Sequence, residues 1–234
     1  MIISTLTQMF RRLWKPGIQT RAAVSVECFG WLDLILGCII FVAPNMAASL
    51  LKLPALSIQD ASYIRVVGVL VAALGMLYVL SGRLNSEGFV VASLLDRPLV
   101  PVIMAALWSN GILPGSLAIA FSTIDFGGFL WTAFAWKADI LHGLNIGGPG
   151  LREQTRAARS VELFGWFCAV SGLVTLLAPS FVQSLLRLTL ISADGPNYFQ
   201  LAGLLVGGLG MLYVVGGSLH ADGFVLASLL VRST

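Results

Sequence analysis

Six apolar runs, near residues 25–44, 64–82, 98–113, 116–136, 161–179 and 199–217, leave few folds open to this chain. Each approaches the roughly 20 residues a helix needs to cross about 30 Å of hydrocarbon. In lipid, only a helix or a closed barrel satisfies every backbone N–H and C=O group. With 57% hydrophobic and 11% charged residues and a mean hydropathy of +0.90, the chain is too apolar for an ordinary soluble domain. The expected fold class is an all-α membrane protein with about six transmembrane helices and short interfacial helices between them. The third run is the shortest, holds Pro101 and meets the fourth at a tight "LPGS" turn. Fusing the two would give a helix far too long for a bilayer.

The basic residues report topology. The N-terminus and the loops after runs two, four and six hold Arg11, Arg12, Lys15, Arg21, Arg83, Arg97, Lys137, Arg152, Arg156, Arg159 and Arg232, whereas the other side holds Lys52, Arg65 and Arg187. The positive-inside rule then puts both termini on the cytoplasmic or equivalent face of a bacterial or organelle inner membrane. A net charge of +3 spread over loops forms no basic tract, so nucleic acid is not an expected partner. Residues 1–20, basic and acid-free with Ile2, Ile3, Leu6, Met9, Phe10 and Leu13 ahead of Trp14, read as an amphipathic helix on the membrane surface. Cys28, Cys38 and Cys168 lie in apolar runs without CxxC spacing and read as packing residues.

The phrase "SVECFGWLDLILG" at residues 25–37 returns as "SVELFGWFCAVSG" at 160–172, 135 residues on. The register continues without a gap from Arg21 and Arg156 to Arg97 and Arg232, with roughly half the positions identical. A tandem duplication is expected: residues 21–137 as a first four-helix unit, 138–155 as a linker, and 156–234 as a second unit of two helices, either a four-plus-two fusion or a piece of something longer. Four spans separate the copies, so they should lie parallel about an axis along the membrane normal.

On the second run Gly68, Ala72, Gly75, Val79 and Gly82 form one stripe, repeated as Gly203, Gly207, Gly210, Val214 and Gly217. Small residues on one face let helix backbones approach closely in lipid, and a packing face, between the copies in one arrangement, is expected. "NSEGFVVASLL" and "HADGFVLASLL" read as interfacial helices, with Asn85 or His220 as N-cap and Glu87 or Asp222 in the first turn. "ASLLKLP" and "QSLLRLT", after Pro44 and Pro179, read as amphipathic pieces at the opposite interface.

The acids raise the functional question. Glu27 and Glu162 fall within a turn of the basic end of their helices, where a carboxylate reaches water or a cation; Arg21 and Arg156 are candidates to neutralise them. The plain reading is structural, with proton binding as the alternative. Asp33, on the line Gly30, Asp33, Gly37 that becomes Gly165, Cys168, Gly172, lies roughly 12 Å into its helix and should face a neighbouring helix. Asp125, in "FSTIDFGGF", lies roughly 14 Å from the other end of its own helix. The two can meet near midplane, where two acids in one site cannot both stay ionised at low energy. They are the candidate intramembrane proton or ligand site; the plainer alternative is local satisfaction by Ser122, Thr123 or a carbonyl.

No Walker loop, dinucleotide fingerprint, HExxH motif or clustered-acid motif is present, and the two histidines lie in loops. No catalytic residue, metal site or cofactor is expected, an intramembrane lipid or quinone enzyme being a distant third reading. The phrases "FGWLDLILG", "VAPNMAASLLKLP", "YIRVVGVLVAALGMLY", "DRPLVPV" and "IDFGGFLWT" resemble the small four-helix bacterial membrane proteins loosely grouped as DoxX-like. The resemblance covers residues 21–137 and a partial second unit. It implies a four-helix bundle more than an activity, some such proteins being accessory subunits of membrane complexes. The expected function is an accessory or scaffold subunit whose partners are membrane lipids and other membrane subunits or a second copy of itself. The alternative is a proton-coupled carrier or channel for a small hydrophobic or weakly acidic solute, with a cavity reaching Asp33 and Asp125.

Overall fold

The computed structural model describes residues 11, 13–15, 17–141, 155–187, 195–219 and 222–233. Ten helices are described: α1 (Arg21–Val42), α2 (Pro44–Leu50), α3 (Ile58–Arg83), α4 (Glu87–Asp96), α5 (Leu99–Ser109), α6 (Gly115–Leu141), α7 (Arg156–Leu177), α8 (Pro179–Leu185), α9 (Gly195–Ser218) and α10 (Asp222–Ser233). Six helical segments are long and apolar enough to span a membrane, and the chain is an all-α integral membrane protein. The amphipathic segment expected at 1–20 falls largely outside the described residues, as do most of the linker at 138–155 and His220.

Helix ends follow local chemistry. Thr20 caps α1 by accepting from the Ala23 N–H, and Thr155 does the same for α7 through Ala158. Ser57 and Asp60 form a reciprocal capping box on α3. Pro44 and Pro179 do more than end the first helix of each half. Each stands at the first position of a new short helix, where its missing N–H has no role and its fixed φ is helical. Lys52 and Arg187 close those short helices with the same positive φ (53° and 52°).

The third span corrects the sequence expectation. It runs from Glu87 to Ser109, so "GFVVASLL" is its first half and not an interfacial helix. The halves α4 and α5 meet at Arg97 (φ −58°, ψ −39°) and Pro98 (φ −65°, ψ −20°). Proline at 98 has no N–H to give the Leu94 carbonyl and crowds the preceding turn, which is enough to interrupt a helix. Asn85 is not the cap of α4. It adopts a positive φ of 52°, and its Oδ1 accepts from the Thr20 N–H and hydroxyl; Ser86 stands at the N-cap.

The glycine stripe packs within each half and not between the halves. A Cβ on Gly30, Gly37, Gly68, Gly75 or Gly82 would lie less than 3.0 Å from atoms of the facing helix in the α1–α3 pair. The same holds for Gly165, Gly172, Gly203, Gly210 and Gly217 in the α7–α9 pair, with facing residues 135 positions on. Gly30 meets Val79, Gly75 and Tyr78, as Gly165 meets Val214, Gly210 and Tyr213. Gly207 has room for a Cβ, but its own backbone nitrogen blocks one on Gly172.

Aromatic rings join the halves. Tyr78 packs edge-on against Phe89 (4.9 Å) and Tyr213 against Phe224 (5.3 Å). Phe89 then stacks on Phe224 at 5.3 Å, the residue 135 positions along from itself. A contact between corresponding residues is what a local two-fold relation between the halves requires.

Gly37→Ala should lower stability by about 1–3 kcal/mol, the usual loss for overpacking, because its Cβ would run into the backbone at Ala72. Gly127→Ala, with nothing within 4 Å, should be neutral or gain up to about 0.5–1 kcal/mol from the removed glycine entropy. Thermal unfolding of the two variants in one detergent checks the ordering.

Candidate functional site: an acid-lined cavity beside a buried arginine

The outcome at the two sets of acids differs. Glu27, near the end of α1, accepts from Arg83 Nε at 2.9 Å and from Gln19 Nε2 at 2.8 Å; Trp31 Nε1 lies 3.4 Å away. The partner is thus Arg83 of α3 and not Arg21, and it also donates to the Leu13 carbonyl (2.6 Å). This cluster ties the segment before α1 to the end of α3. Glu162 sits against Gly217 as Glu27 sits against Gly82, but Ser218 stands where the second half would need an arginine.

Asp33 and Asp125 line one cavity of about 510 Å³, and Asp96 lines it with them. Asp33 does not belong to the glycine seam it was expected to share. Gly30 and Gly37 face α3, while Asp33 is turned aside into the cavity. Asp125 comes from the middle of α6 and Asp96 from the last residue of α4, beside the proline break. The rest of the described lining is almost wholly apolar, including Leu36, Ile103, Phe121, Leu173 and Met211, and among the described residues it contains no Lys, Arg or His. Among the described residues, no hydrogen bond or ion pair reaches any of the three carboxylates.

The second half supplies one wall through α7 and α9, including Gly172, Gly203, Gly207 and Gly208. The Asp96 carboxylate lies so close to α9 that a Cβ on Gly208 would stand 3.5 Å from its Oδ1. Cys168, the counterpart of Asp33, is buried and is not part of the wall.

Sequence reasoning missed Asp96 and misplaced Arg97 by assigning both to a loop. Arg97 is the largest fully buried side chain among the described residues, so it does not belong in the loop charge asymmetry. Its guanidinium carbon lies 3.8 Å from the Phe29 ring centroid and 4.8 Å from that of Tyr78, positions that favour a cation over an aromatic face. Nη1 donates to Thr132 Oγ1 at 2.9 Å. Thr132 lies 3.1 Å from the Ser25 hydroxyl, which reaches the Ala22 carbonyl at 2.7 Å. Nε and Nη2 find no acceptor of good geometry. Gly128 makes room for the stack, since a Cβ there would collide with Phe29 and crowd Arg97.

The same seam ends at Asp139, 1% exposed, whose carboxylate accepts from the backbone N–H groups of Arg21 and Ala22 at 3.2 and 2.9 Å. An acid at a helix N-terminus complements the helix dipole, so α6 grips the start of α1. The signal in sequence was the series Asp125, Gly128, Thr132 and Asp139, small or polar at helical spacing in an apolar span.

No group of three or more potential ligands among the described residues could hold a metal ion. No known protein family, curated protein or solved structure matches the chain. The DoxX-like resemblance therefore stands on the quoted phrases alone.

Thr132→Val should destabilise the fold by about 1–3 kcal/mol, the penalty for stranding a buried donor, whereas Thr132→Ser should restore most of it. Thermal unfolding of the pair separates lost hydrogen bonding from altered packing.

Proposed function

We propose that the chain is an intramembrane solute-binding protein, a proton-coupled carrier for a small and mainly hydrophobic molecule. One observation carries the reading: a cavity between the two halves reaches three carboxylates that have no hydrogen-bond or ion-pair partner among the described residues. Its volume of about 510 Å³ falls in the range of roughly 300–1,000 Å³ typical of small-molecule pockets. Acids inside a bilayer are costly, and those that face a cavity commonly mark solute or proton paths. The acids can exchange protons with the solvent as the site fills and empties, which is what coupling requires. Tandem duplication of one helical unit is part of this reading, since a site between two related halves is a common carrier design.

The scaffold reading keeps an observation of its own. In the first half α6 covers Ala22 and Ser25 on α1, both buried; on α7 the counterparts Ala157 and Ser160 are exposed. A helix of another subunit would fit that face in the way α6 fits α1. Gentle extraction and native-gel separation test this: co-migration with a larger complex supports it, and migration alone removes it.

For the solute reading, native mass spectrometry of the chain released from its own membrane should show a non-lipid adduct. Ala120→Phe, which adds bulk to a lining position, should lose that adduct while unfolding at an unchanged temperature. Equal adduct levels in both proteins would refute the site.

A further inference from the structure

We propose that the cavity takes a lipophilic cation, a compact apolar body carrying one positive charge. This rests on the solute-binding reading and narrows its ligand class, away from the weakly acidic solutes that the sequence left open.

The argument begins with the charges that face the space. Asp33 enters from α1, Asp96 from α4 and Asp125 from α6; the wall given by α3, α5, α7 and α9 contributes no ionisable side chain except the Tyr78 phenol. Among the described residues, Arg97 is the cation whose charge bears on these acids, and it is not part of the lining. It lies over the rings of Phe29 and Tyr78, which do line the cavity. No carboxylate comes within 4.0 Å of its nitrogens, and the hydrogen bond it makes turns it toward Thr132. Even if Arg97 is counted in full against the three acids, two carboxylates remain without a counter-charge when all are ionised.

Carboxylates without partners in an apolar space recover their lost hydration in one of two ways: they take up protons, or they take a cation. An anion would add repulsion to desolvation. A neutral solute can at most donate hydrogen bonds and supplies no counter-charge. A cation is the ligand that meets all three, and the remaining wall suits its apolar body. Phe121 adds to the wall an aromatic ring that Arg97 does not occupy, of the kind whose face attracts a desolvated positive charge. The balance is simple: every carboxyl that carries a proton before binding and ends ionised beside the cation releases that proton to solvent, and no bond to the ligand forms or breaks. Cation entry is thereby coupled to proton exit.

The test uses the unaltered full-length chain in detergent and three probes of related shape: tetraphenylphosphonium, its anionic counterpart tetraphenylborate, and neutral triphenylphosphine oxide. Equilibrium dialysis gives affinity, and a pH electrode in weakly buffered solution gives the protons released. The phosphonium should bind saturably, at least about tenfold more tightly than the phosphine oxide, a difference of about 1.4 kcal/mol, with proton release. Tetraphenylborate should not bind saturably. Asp33→Asn, Asp96→Asn and Asp125→Asn should each reduce the preference for the cation and the proton yield while leaving phosphine oxide binding in place. Phosphine oxide binding as tightly as the phosphonium, or borate binding more tightly, overturns the cation proposal and leaves the solute-binding reading intact. Saturable binding of none of the three overturns both.

Discussion

The backbone approach of α1 to α3 through interlocked glycines is the constraint on which the rest of the arrangement depends. In lipid there is no hydrophobic gain from bringing two apolar helices together, so close van der Waals contact and small residues decide which faces meet. Gly30 and Gly37 fit against Gly75 and Gly68 so tightly that no side chain could replace any of them without displacing backbone. Once that face of α1 is committed to α3, its other faces have fixed roles. Ala22, Ser25 and Phe29 receive α6, and the neighbouring edge turns Asp33 into the cavity. The second half repeats the commitment in α7 and α9, and the stacked Phe89 and Phe224 set one pair against the other.

The break between α4 and α5, at Arg97 and Pro98, lies where the buried arginine and the cavity adjoin. An arginine at the centre of a membrane helix is disfavoured by about 2.5–3.5 kcal/mol even by the lower estimates, so its burial needs compensation. Here the compensation is visible: two aromatic faces, one hydroxyl, and a glycine on α6 that lets the stack close. Asp96, the residue before the break, lies against α9 at Gly208. Adjacent residues at the break thus face opposite ways, Arg97 into the α1–α6 seam and Asp96 into the cavity.

What could be read from the sequence was whatever lipid forces on a chain locally. Run lengths gave the number of spans but not the bounds of the third, and glycine spacing gave the close-packing faces but not that each packs within its own half. Asp33 and Asp125 were recognisable as acids at depth because each sits in an unbroken apolar run. Asp96 and Arg97 were not, because two charges followed by Pro98 look like a loop. Only the neighbours of Arg97 make it tolerable inside the membrane, and these come from helices distant in sequence. The partner of Glu27 was missed for a similar reason. Arg21 is nearer in sequence, but Arg83 is nearer in space once Gly82 lets α3 lie against Glu27.

The uneven distribution of acids between the halves follows from where the cavity lies. All three carboxylates belong to the first half. In the second half Cys168 stands in the place of Asp33 and Val231 in the place of Asp96. A cavity inside each half would call for each to keep its own acids. A single cavity between the halves can be lined by one set, and a second set facing the first would add repulsion among the carboxylates. The second half contributes space instead: Gly207 and Gly208 replace Ala72 and Ala73 of the first, and Gly208 is where the Asp96 carboxylate comes to rest. The acid retained in both halves, Glu27 and Glu162, lies away from the cavity at the helix pairs themselves, where the packing that both halves share is made.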